Sequence, residues 1–321
     1  SASVADAAGL SGGAGHDWIL NTGKVVSGAY ADADATGVTV GLTLAKTGVA
    51  AGAALSGASS SSLSAARGID GGAGDDRITN RGAVEARAES RADTVSVTVG
   101  INGSLTGVAG GAALSDAAAG AVADAAGISG GSGSDEITNA ASVSSQAVSS
   151  VDTTAVTVTL SVSKEGVSAG AALSDAASAA TSVSRGIDGG AGDDRIRNDG
   201  EVTASANAAA DTTSIVVQVA GSLYGAAGGV ALSDSSAAAL AQATGIAGGA
   251  GNDAILNTAR VAAGSTADVD AKSISVTASG SIGLAGGAAF SDASVDSRAL
   301  SRGIDGGDGC DSIVNSGEIV S

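Results

Sequence analysis

Repetition constrains this chain more than any other feature. A glycine pair opens nearly the same phrase at Gly12, Gly71, Gly130, Gly189, Gly248 and Gly306, so successive copies stand 59, 59, 59, 59 and 58 residues apart. Other columns keep the same step: Asn21, Asn80, Asn139, Asn198, Asn257 and Asn315 follow the phrase, and Asp34, Asp93, Asp152, Asp211 and Asp270 sit mid-repeat. A third column runs through Asp116, Asp175, Asp234 and Asp292, with Gly57 in the first copy. A slower alternation overlies these. "RGIDGG" begins at Arg67, Arg185 and Arg302, while the copies between read "AGLSGG", "AGISGG" and "TGIAGG". The chain divides into units 9–67, 68–126, 127–185, 186–244 and 245–302, a partial unit 303–321, and residues 1–8 as the tail of a preceding unit. Such a period marks a single repeat array whose units lean on their neighbours.

Within a unit the period is two, the signature of a strand. Val84, Ala86, Ala88, Ser90 and Ala92 share one parity, whereas Val95, Val97, Val99 and Ile101 share the other. Read from hydrophobicity, the register flips at Asp93 and its equivalents, which are therefore expected at corners or bulges. Alanine favours helices. Glycine and β-branched residues are too frequent here, and the Ala-x-Ala alternation too strict, for helices to form. The expected fold is all-β: a parallel solenoid whose small Ala, Ser and Gly interior leaves much of the cohesion to backbone ladders, with the asparagine column stacked amide on amide.

Composition removes several functions. The net charge is −18, which leaves no basic stripe for nucleic acid. One cysteine, Cys310, permits neither a disulfide framework nor a zinc cluster. No apolar run reaches the length of a membrane-spanning helix. The one histidine, His16, occupies a variable slot filled in the other copies by Asp, Ser, Asp, Asn and Cys. His16, Trp18 and Cys310 are expected at exposed positions. A catalytic site is a unique constellation, and each loop acid has copies one repeat away, so no enzyme is expected.

The loops pose an electrostatic problem. Aspartates stacked about 5 Å apart repel by roughly 1 kcal/mol in water and about 3 to 4 kcal/mol at an effective dielectric near 20. Glycines admit positive φ and can turn carbonyl oxygens inward, and carbonyls with carboxylates are the oxygen ligands calcium prefers. Without a cation these are plain glycine turns with solvated aspartates.

The phrase Gly71-Gly72-Ala73-Gly74-Asp75-Asp76-Arg77-Ile78-Thr79 resembles the nonapeptide of RTX (repeats-in-toxin) calcium-binding β-rolls, G-G-x-G-x-D-x-U-x. All six copies keep the three glycines, the Asp and the Ile. The resemblance implies Ca2+ between stacked turns. Its loops would comprise Gly12, Gly13, Gly15 and Asp17; Gly71, Gly72, Gly74 and Asp76; Gly130, Gly131, Gly133 and Asp135; Gly189, Gly190, Gly192 and Asp194; Gly248, Gly249, Gly251 and Asp253; and Gly306, Gly307, Gly309 and Asp311. Asp70, Asp75, Asp188, Asp193 and Asp305 are possible additional ligands. The aliphatic column Ile19, Ile78, Ile137, Ile196, Ile255 and Ile313 would point into the core. The "I-x-N-x-G-x-V" phrase between the loops, as in Ile19-Leu20-Asn21-Thr22-Gly23-Lys24-Val25, is similar to the β-helical passenger repeats of bacterial surface adhesins.

RTX nonapeptides follow one another directly, whereas here long segments separate them. Three narrow coils per repeat would hold successive loops about 14 Å apart, too far to share an ion. One wide coil per repeat would stack them along one edge, and that is the expected arrangement. The ends resemble interrupted units, so the chain is expected to be a window on a longer array or a unit that joins copies of itself end to end. The functional expectation is a secreted, bacterial cell-surface stalk or filament that binds calcium. An adhesin face built on hydroxyls such as Thr94, Ser96 and Thr98, meeting carbohydrate, ice or another surface, is the alternative, and a polysaccharide-acting enzyme module comes third.

Overall fold

Alternating small and β-branched residues without a single proline can extend as strands whose ladders are nowhere interrupted. A computed structural model describes residues 1–321 in this way. Long strands Val25–Ala73, Val84–Ser132, Val143–Ala191 and Val202–Ala250 alternate with short strands Arg77–Asn80, Glu136–Asn139, Arg195–Asn198 and Ala254–Asn257. Each strand pairs in parallel with its equivalent one repeat away, Val84 with Val143 and Ile78 with Ile137, for example. One repeat therefore makes one coil, and the protein is a parallel β-solenoid repeat protein. Of 236 backbone hydrogen bonds, 215 lie within the strands, so the ladders carry the cohesion that the small side chains cannot.

Each coil is a long, flat loop. The chain runs out from Val84, reverses near Gly107 and returns to Ser132; the two limbs face one another, as the bond from Thr98 Oγ1 to Leu114 O (2.7 Å) requires. Twenty-odd residues per limb at about 3.3 Å each make the coil roughly 80 Å wide. Gly48, Gly107, Gly166 and Gly225 stack at the reversal with φ of 97° to 147°, a conformation that other residues avoid. The 58-residue step falls here too: Ser281 still pairs with Ser222 but Leu284 pairs with Ala226, so the missing residue was taken from the turn.

At the opposite edge the short strand adds a third wall. Ile69 from the returning limb, Ile78 from the short strand and Val84 from the next outgoing limb, with their equivalents, form one cluster of large aliphatic side chains. Ile78, Ile137, Ile196 and Ile255 are all buried, as the loop pattern predicted, whereas Ile313 in the last coil is 45% exposed. Between this edge and the middle of the coil the two limbs touch through alanine.

One expectation fails. The parity does not flip at Asp93: Ala88, Ser90, Ala92, Thr94, Ser96 and Thr98 are all buried within one continuous strand, and Asp93 points outward beside Arg91 at 3.0 Å. What changes at the Asp column is chemistry. Beyond it the interior becomes Ser and Thr, and the exterior becomes Val and Ile. Many of these interior hydroxyls bond across the narrow gap, Ser115 Oγ to Ser96 O at 2.9 Å and Thr157 Oγ1 to Leu173 O at 2.7 Å, while Ser161, Ser163 and Ser174 Oγ have no partner. The Thr94, Ser96 and Thr98 hydroxyls thus face inward and present no outer polar array.

Candidate metal and structural ladder at the loop edge

Each motif glycine has its own cause. Gly72 and Gly74 take φ of 106° and 125°, which turns the chain sharply from the returning limb into the short strand. Gly71 needs no such freedom. A Cβ there would fall 2.7 Å from Asp76 Oδ2 and against Gly130 O, so the carboxylate occupies the room a side chain would need. The same relation holds for Gly130 with Asp135 and Gly189 with Asp194.

The aspartates form a ladder. Asp17 N donates to Asp76 Oδ1 (2.7 Å), Asp76 N to Asp135 Oδ1 (2.7 Å), Asp135 N to Asp194 Oδ1 (2.8 Å), Asp194 N to Asp253 Oδ1 (2.8 Å) and Asp253 N to Asp311 Oδ1 (2.9 Å). One oxygen of each carboxylate from Asp76 to Asp311 thereby satisfies a loop amide in the preceding coil. The other does not fare as well. Oδ2 of Asp17, Asp76, Asp135, Asp194 and Asp253 is buried with no hydrogen-bond partner, and Asp76, Asp135, Asp194 and Asp253 are each 2% exposed. Burial is the main reason that Asp135 is pushed up to about 6 and Asp194 to about 7, with neighbouring aspartates adding to it and the backbone hydrogen bond opposing it. Asp253 is raised for the same reason.

The asparagine ladder is fully used. Nδ2 donates to the next Oδ1 at 2.7 Å in every step from Asn21 to Asn315, and the same amides close a local turn, as Asn139 Nδ2 does on Ala141 O (2.8 Å).

The other acids have different duties. Asp70 lies 3.9 Å from Arg67, Asp188 lies 3.4 Å from Arg185 and Asp305 lies 3.4 Å from Arg302. Arg185 also reaches Asp124 of the preceding coil at 3.1 Å, and Arg67 reaches Asp6 at 3.8 Å. For Arg67 and Arg185 this gives the slower alternation a cause, because each rests on a coil that offers Asp two residues earlier, whereas Arg302 meets Gln242 there and pairs with Asp305 alone. Asp75 Oδ1 accepts from Ser134 N and Asp193 Oδ1 from Asn252 N, both at 2.8 Å, at the exposed rim of the loops. His16, Trp18 and Cys310 are exposed.

No three His, Cys, Asp or Glu side chains converge anywhere in the protein. A calcium ion at this edge would draw one carboxylate from a coil and complete its shell with loop carbonyls. The residues fit that chemistry: each step offers a buried carboxylate oxygen without a partner, beside glycine carbonyls. No helix is long and apolar enough to cross a membrane. Comparison of the chain with protein-family models, with curated proteins and with solved structures finds no match.

Proposed function

We propose that the chain is a rigid extracellular stalk or filament segment of a bacterial surface protein, stabilised by calcium and without turnover. The observation that carries this reading is the buried, unpartnered Oδ2 repeated in five successive loops. An ionised carboxylate out of water is costly unless paired or bound to a cation, and five in a column multiply that cost. Calcium, bound by Asp76, Asp135, Asp194 and their equivalents with glycine carbonyls, would supply the compensating positive charge and tie one coil to the next. Two further features support a mechanical role. Each repeat adds one coil with every column in register, and the limbs meet too closely to leave a cleft between them. Copies joined end to end would continue both ladders.

The test is calorimetric titration of chelator-treated protein with calcium and, separately, magnesium. Uptake of calcium, with magnesium far weaker because it demands tight octahedral geometry and releases water reluctantly, is expected. Absence of calcium uptake would leave a metal-independent stack.

A further inference from the structure

Beyond the Asp93 column the outgoing limb turns aliphatic side chains outward and mostly Ser and Thr inward, and nothing in the stalk reading uses this. Val40, Val99, Val158, Val217 and Val276 form one unbroken outward column, each paired in register with the next. Val97 and Ile101 head similar aliphatic columns on either side. At the ends of the stack these side chains lie open to solvent, Val40 by 66% and Val276 by 47%. The returning limb is also apolar outside from Val108 to Leu114, where the exposed Asp116, Asp175, Asp234 and Asp292 column bounds it, but its relief differs: a column through Leu114 flanks columns of Ala and Gly through Ala112 and Gly110. One face is thus a ridge of branched side chains and the other a trough with a leucine rim. Ridge and trough lie back to back at the same depth, because Thr98 bonds the Leu114 carbonyl across the interior. A second copy displaced straight out of the plane, without lateral shift, would set its trough over the ridge of the first.

We infer that this apolar half of the solenoid packs face to back against further copies of the same chain. About eight residues of strand by five coils give about 27 Å by about 24 Å, roughly 650 Å² a side, at the lower end of what each partner contributes to a standard protein interface. An exposed apolar patch of that size exceeds what monomers usually carry. A second copy also brings the same spacing between coils, so branched side chains mesh row by row as in a dry sheet-to-sheet interface. Because the two faces differ, the contact is heterologous and does not close on itself. The inference is independent of the metal assignment.

Sedimentation of the full chain in calcium-containing buffer, from about 1 to about 100 µM, tests it. The native chain is expected to gain mass with concentration. The ridge variant Val99→Lys/Val158→Lys/Val217→Lys and the trough variant Ala112→Lys/Ala171→Lys/Val230→Lys are each expected to remain monomeric. All six positions point outward, so circular dichroism should be native; if a lysine variant fails to fold, threonine at the same positions replaces it. An equimolar mixture of the two variants keeps one intact ridge and one intact trough and should form heterodimers that grow no further. A native chain that stays monomeric overturns the inference. So does a trough variant that still dimerises, which would mean ridge-to-ridge pairing, or association that survives both variants, which would place it at the open ends. Binding of the monomeric native chain to phosphatidylcholine vesicles, lost in the ridge variant, would assign the face to lipid instead.

Discussion

In calcium-free buffer the loop carboxylates should make this protein less stable as pH rises, the reverse of ordinary acid denaturation. Asp194 moves from 3.8 to about 7 on folding and Asp135 from 3.8 to about 6. In both cases the folded pKa lies above the unfolded one. Between about pH 4 and pH 7 the folded state therefore holds more protons than the unfolded state, and stability falls through that window and levels off above it. Three units for Asp194 correspond to about 4 kcal/mol and two for Asp135 to about 3 kcal/mol at 1.36 kcal/mol per unit. The ladder couples the two sites, so their sum is an upper bound. Urea denaturation in chelator, followed by circular dichroism, should give a higher midpoint at pH 5 than at pH 8. Net charge contributes a background slope in the same direction, and Asp135→Asn/Asp194→Asn separates the two. The double variant keeps Oδ1 as acceptor for the coil below and removes the buried charge, so it should flatten the dependence and exceed the native chain at pH 8. Equal slopes for native and variant would refute the reasoning.

Four further single substitutions probe the stack. Asn139→Ala strips the acceptor from Asn80 and the donor from Asn198, and two buried polar groups left unmet should cost about 2 to 5 kcal/mol in urea titration. Gly130→Ala would drive a methyl to 2.5 Å from Asp135 Oδ2, and thermal melts should reveal a loss of at least about 3 kcal/mol; Gly120→Ala, which meets only Ala179 O at 3.9 Å, should be neutral or gain up to about 1 kcal/mol. Asp93→Ala loses an ion pair to Arg91 on an outward face and should cost under about 1 kcal/mol by the same melts, far less than Asp76→Ala/Asp135→Ala in calcium.

The period gave the repeat and the register of its columns, but it fits three narrow coils as well as one wide one; the wide coil followed only from the requirement that successive loops stack closely enough to share an ion. Ile78 and the asparagine column were legible for the same reason: each is one residue type at one position in all six copies. Orientation beyond Asp93 was not. Hydrophobic alternation normally marks the inner face, but here the limbs approach so closely that Thr98 can bond a carbonyl across the gap, and Val97 and Val99 are turned out. The alternation of Arg67 and Arg185 with unlike copies was visible, whereas its cause, the contact of Arg185 with Asp124 one coil away, required the stack. Most hidden of all was the division of labour within each loop aspartate, one oxygen on a neighbouring amide and the other against a bare glycine.

The central claim is that a cation neutralises the buried aspartate column, and a pair of thermal melts at pH 8 tests it most directly. In millimolar calcium the chain should melt in one cooperative transition well above the transition in excess chelator, since a ligand present at about a hundred times its Kd adds about 2.7 kcal/mol for each site. Coincident melts in calcium and chelator would contradict the claim.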